Sequence, residues 1–106
     1  MDKITVGSPA TATAASGAVT LHARKGKVTS EALTTATAAD YTLTITNKMV
    51  QATDMVLASV AYGTTSQGTP VVTRAKCSNG SIQIIVKNDH ASNALNGTVI
   101  VSFVIL

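Results

Sequence analysis

The sequence predicts an all-β domain, an antiparallel β-sandwich of jelly-roll type with an extended N-terminal arm. Three observations lead there. Tyr41, Leu43 and Ile45 alternate with Thr42, Thr44 and Thr46, which is the period-two pattern of a half-buried strand. Short runs rich in Val, Ile and Thr recur along the chain, separated by Gly, Pro, Asn and Ser clusters that mark turns. No stretch alternates strand with helix, as a parallel doubly wound sheet would require. At 106 residues the chain is sized for one domain.

Residues 1–18, "MDKITVGSPATATAASGA", alternate briefly at Ile4 and Val6 and then run through small residues with no large apolar side chain to anchor them. This reads as an extended arm that orders only against something else, and the sandwich proper is placed at 19–106. "VTLHA" follows as a strand, with Val19, Leu21 and Ala23 on one face. "RKGK" (Arg24 to Lys27) reads as a solvated turn leading to Val28. "SEALTTATAAD" offers Ser30 as a cap and several helix formers, but three Thr residues lower its helix propensity. It reads as a single helical turn or as irregular chain.

After "YTLTITN" comes "MVLASVAYG", apolar at both parities. That pattern predicts a strand covered on both faces. "GTTSQGTP" is a polar loop, and "VVTRAKC" is a strand whose parity places Cys77 on the less charged face. Asn79-Gly80 signals a type I′ hairpin. "SIQIIVKN" returns with Ile82, Ile84 and Val86 on one side. The loop "DHASNALNG" then feeds the last strand, "TVIVSFVIL", which reads as a central or interface strand. The strands around Met55 to Tyr62 and Val99 to Ile105 are expected to form the core or a subunit interface.

Composition narrows function. Charged residues are 12% of the chain, about half the usual share of ~25%, and aromatic residues are 3% with no Trp. The core must come from Val, Ile, Leu, Ala and Met with Thr methyl groups. A surface this poor in charge suits burial against partners. The net charge of +3 is mild. Its one cluster, Arg24, Lys25 and Lys27, lacks the interleaved aromatic residues of a base-stacking platform, so direct nucleic-acid binding is not expected. The terminal apolar run covers nine residues, too few for a spanning helix of about 20. The chain also lacks the aromatic girdles of a membrane barrel, so no membrane is expected. The start shows no apolar signal-peptide core, so synthesis in a reducing cytoplasm is expected.

Asp89, His90 and Ser92 are the residue types of a hydrolase triad. Neighbours in sequence rarely reach both imidazole nitrogens, and no Gly-x-Ser-x-Gly elbow is present. An Asx turn by Asn88 or Asp89 is the better reading. Asp2, Glu31, Asp40, Asp54 and Asp89 are scattered, and single Cys77 has no ligand spacing around it. No phosphate-binding glycine loop occurs. An enzyme, a metal and a cofactor are therefore not expected.

"GKVTSEALTTATAADYTLTITNKMV", "VLASVAYGT" with "GTPVVTR", and "VKNDHASNALNGTVIVSFVIL" resemble small virion proteins of tailed bacteriophages, over roughly Gly26 to Leu106. The most specific piece is "NDHASNALNGTVIVSF". The resemblance implies a head decoration or cement protein, a small β-sandwich on the outer capsid surface that clamps major capsid protein subunits. It implies a homo-oligomer, a trimer before a dimer, assembled after synthesis in the host cytoplasm. A tail-fibre or receptor-binding β module is the alternative. No catalytic residues carry over. Capsid contacts are expected from the arm, through Ile4, Val6 and Pro9, and from Arg24, Lys25 and Lys27.

Overall fold

The structure, a computed structural model, describes residues 10–106. Ile4, Val6 and Pro9 of the expected contact set lie outside the described residues. Eight strands follow one another: β1 (Ala10–Thr13), β2 (Ala18–Thr20), β3 (Lys25–Thr29), β4 (Asp40–Thr46), β5 (Val56–Tyr62), β6 (Pro70–Ser78), β7 (Ser81–Asn88) and β8 (Val99–Ile105). There is no helix among the described residues. A front sheet has the order β1-β3-β8-β5 and a back sheet the order β2-β4-β7-β6. The two pack face to face as a sandwich.

Both sheets are mixed, which corrects the purely antiparallel expectation. β1 runs parallel to β3, and β2 runs parallel to β4. All other ladders are antiparallel. The tract that held no large apolar anchor thus contributes β1 through its backbone, and Ala14 just beyond it is buried.

The core follows from period-two patterning. Leu43 and Ile45 of β4, Ile82, Ile84 and Val86 of β7, and Val99 and Val101 of β8 have no solvent exposure, and Tyr41, Phe103 and Ile105 continue the same faces. Each large aliphatic side chain buried here stabilises the fold by roughly 1.5–3 kcal/mol. Leu33 and Leu95, from loops, close one end of the core, and Val50 closes the other. Met49 and Met55 are exposed, so neither serves as core material. "SEALTTATAAD" is irregular up to Ala39. Ser30 is buried, and its hydroxyl accepts the Val99 amide at 3.0 Å, so it ties β3 to β8 instead of capping a helix.

Three further expectations change. "RKGK" is not a turn, because Lys25, Gly26 and Lys27 lie within β3 and pair with Val104, Phe103 and Ser102. Gly26 is there for space. A Cβ on it would sit 2.8 Å from the Phe103 ring and 2.7 Å from Leu21. β5 is an edge strand, not one covered on both faces, and Leu57 is 57% exposed. The hairpin at Asn79-Gly80 forms as predicted in place, with Ser78 opposite Ser81. Only Gly80 takes a left-handed φ, +83°, so the turn is not type I′, which needs positive φ at both central residues. Its tip is instead held by the loop before β5, through Gly80 N to Val50 O and Ala52 N to Asn79 Oδ1.

Candidate functional site

The outer face of the front sheet divides into an apolar corner and a polar flank. Ladder registry places Leu57, Val104 and Lys25 in one row across β5, β8 and β3. Ser59, Ser102, Lys27 and Thr11 form the next row, and Ala61, Ile100, Thr29 and Thr13 the third. Beyond the first row the Leu106 amide donates to Met55 O at 2.8 Å, which sets those two residues side by side. Met55 is 67%, Leu57 57% and Leu106 59% exposed. Three of the largest exposed apolar side chains therefore gather at one corner of a flat sheet. Single exposed apolar residues need no explanation, and it is their gathering at one corner that makes this surface a candidate site.

Of the sequence-predicted basic cluster, Lys25 and Lys27 sit on this face and Arg24 at its edge. The Arg24 carbonyl accepts the Ile105 amide at 2.7 Å, which holds the residue beside the end of β8. Arg24 and Lys27 are exposed, and Lys25 is half-buried. The structure thus brings the cations together with Met55, Leu57 and Leu106, which sequence reasoning placed in a covered strand or interface. Alternation could not assign them, since "MVLASVAYG" is apolar at both parities.

The opposite end of the sandwich carries the loops 30–39, 63–69 and 89–98. Asn88, fully buried, ties them together. Its Oδ1 accepts the amides of Thr69 and His90, and its Nδ2 donates to the carbonyls of Thr35 and Asn93. The bond to His90 is the Asx turn read from the sequence. Asn96 clasps the 63–69 loop: its Oδ1 accepts from the Thr65 hydroxyl at 2.7 Å and from the Ser66 amide at 2.9 Å. Asn47, also fully buried, does the same at the apolar-corner end, donating to Ala23 O and accepting the Met49 amide. Among the described residues no buried side-chain polar atom lacks a hydrogen-bond partner.

The triad-like residues have structural partners. His90 Nδ1 accepts the backbone amides of Ser92 at 3.0 Å and Asn93 at 2.9 Å. That nitrogen is therefore an unprotonated acceptor and has no proton with which to bind the Asp89 carboxylate, as the orienting bond of a triad requires. Among the described residues no group of three or more His, Cys, Asp or Glu is placed to hold a metal. Cys77 is half-buried against the core, and burial, followed by the Asp54 charge, raises its thiol pKa. Such a thiol is a weak nucleophile. Tyr41 donates to Glu31 Oε1 at 2.9 Å. Burial, then this bond and the Glu31 charge, push its hydroxyl pKa well above the ordinary tyrosine value.

No family model, curated protein or solved structure matches this chain.

Proposed function

We propose that this protein is a non-enzymatic structural component of a phage virion, a decoration or cement protein that binds the outside of the head and stabilises contacts between major capsid subunits. The observation that carries the reading is the uncovered corner of Met55, Leu57 and Leu106 on the same flat sheet face as Lys25 and Lys27. An apolar anchor rimmed by cations matches the general anatomy of a docking patch, whose dry centre is flanked by polar groups. Its modest size suits a protein present in many copies, because repeated weak contacts on one shell add through multivalency.

Two lines support it. The sequence resemblance to small virion proteins covers most of the chain. The connectivity, with β3 on β8 and β4 on β7 and with β5 and β6 outside them, reads as a jelly roll shortened by one hairpin. Jelly rolls recur in viral capsid and lectin domains, although fold alone does not carry function. The test is the stability of purified heads. Heads lacking this protein should break at lower temperature and milder osmotic shock than complete heads. Equal survival removes the cementing role.

One observation favours a second reading, a tail-fibre or receptor-binding module. The loops 63–69 and 89–98 stand together at the end opposite the apolar corner, fixed by Asn88 and Asn96. Rigid loops on a sheet scaffold are a common recognition device. Antibody labelling of virions separates the two: label on the head supports the first reading, and label confined to the tail tip supports the second.

A further inference from the structure

The four edges of the two sheets are not equally defended. β1 and β2 are short, four and three residues. β6 carries Pro70, a register shift between Val72 and Arg74, and the charges of Arg74 and Lys76. Short length, proline, bulges and charge are the means by which natural sheets block edge-to-edge pairing. β5, "VLASVAY", has seven residues with no charge, no proline and no register shift. It is the one edge among the described strands that carries none of these devices, with the chain's own Gly68 to Pro70 beside its Tyr62 end.

We propose that β5 pairs antiparallel with β5 of a second copy about a two-fold axis at Ser59, joining two front sheets into one. Three features point to a second copy as the occupant. The hydrogen-bond phase is right. Leu106 N donates to Met55 O and Gly63 N to Thr98 O, so within the β5–β8 register the odd-numbered residues of β5 bond to β8. The N–H and C=O groups of Val56, Ala58, Val60 and Tyr62 therefore face the open edge. A two-fold axis at Ser59 sets Val56 against Tyr62 and Ala58 against Val60 of the other copy, so each of these residues meets another whose polar groups also face outward. The same axis gives full overlap of both strands.

Size is also self-complementary. Leu57 meets Ala61 of the other copy, Met55 meets Gly63 and Val60 meets Ala58, a large residue against a small one at these three pairs, while Val56 meets the larger Tyr62. Charge agrees, because neither β5 nor the neighbouring β8 carries any, so two copies approach without like-charge repulsion. The axis leaves the Leu57 face of the joined sheet uncovered, so this pairing is independent of the head reading. The strand supplies only part of the 20–30 residues per side of a standard interface, and a dimer that responds to micromolar concentration is expected.

Sedimentation velocity and amide hydrogen exchange on the full chain, over about 1 to 500 µM, test this. The native protein should shift from monomer to dimer, and protection of Val56, Ala58, Val60 and Tyr62 should rise with it. Val60→Pro removes an edge-facing donor that β8 does not use and should leave a folded monomer throughout. Ser59→Lys and Ser59→Glu, at an exposed position, should each weaken self-association roughly fivefold or more, and an equimolar mixture should restore it. Several results would overturn the pairing: a monomer at every concentration, a dimer indifferent to Val60→Pro, or a mixture no stronger than its components. Protection of the edge amides in a monomer would show a segment of the chain itself on β5 and would equally overturn it.

Discussion

Asn47 and Asn88 lie at opposite ends of the back sheet, each with no solvent exposure and each bonded through both its side-chain oxygen and its side-chain nitrogen. Asn47 follows β4, Asn88 ends β7, and these strands pair antiparallel. The two amides therefore fix the loops at both ends of one ladder. A buried amide is tolerable only when its donors and acceptors are satisfied, and both are.

Asn88→Ala should destabilise the protein by about 2–4 kcal/mol, because it strips partners from Thr69, His90, Thr35 and Asn93 together. Asn88→Asp should be at least as harmful, since it keeps the acceptor but sets a carboxylate against the Thr35 and Asn93 carbonyls. Denaturant unfolding checks both. A loss within about 0.5 kcal/mol for Asn88→Ala would show the loops held by other means.

Val101→Asp should prevent folding. Val101 has no exposure and lies between Val28 and Val60 in the middle of the front sheet, where an unpaired carboxylate has no partner and no water. A soluble protein with native circular dichroism would contradict that burial.

Tyr41 predicts a dependence on alkaline pH. Its folded pKa lies above the ordinary value of 10.0, so above pH 10 the unfolded chain loses the phenol proton while the folded chain keeps it. The stabilisation from the Tyr41–Glu31 bond is complete below that pH and is lost as pH rises beyond it. Tyr41→Phe should cost about 1–2 kcal/mol at neutral pH and flatten the decline between pH 10 and 11 relative to the native protein. Parallel pH profiles for the two would count against it.

Met55→Ser combined with Leu106→Ser should leave stability nearly unchanged, as both side chains are more than half exposed. Head binding should fall about tenfold or more with the loss of apolar contact area. Retention of full binding by a folded double variant would move the contact elsewhere.

The alternating strands were legible from the sequence. "YTLTITN" and "SIQIIVKN" bury their odd-numbered and even-numbered apolar residues as period two requires, and "TVIVSFVIL" is central in its sheet. Other features had no readable signal. Parallel pairing of β1 and β2 depends on backbone bonds from Ala- and Thr-rich chain, which carries no distinct pattern. Gly26 resembles a turn glycine although it makes room for Phe103, a contact distant in sequence. The exposed apolar corner of Met55, Leu57 and Leu106 was hidden because an apolar run at both parities fits a covered strand as well as an edge strand.

The most direct measurement is an image of the virion at subunit resolution. The account predicts copies of the sandwich on the outer head surface, with Met55, Leu57 and Leu106 against the major capsid protein. Copies confined to the tail, or copies on the head with that corner facing solvent, would contradict it.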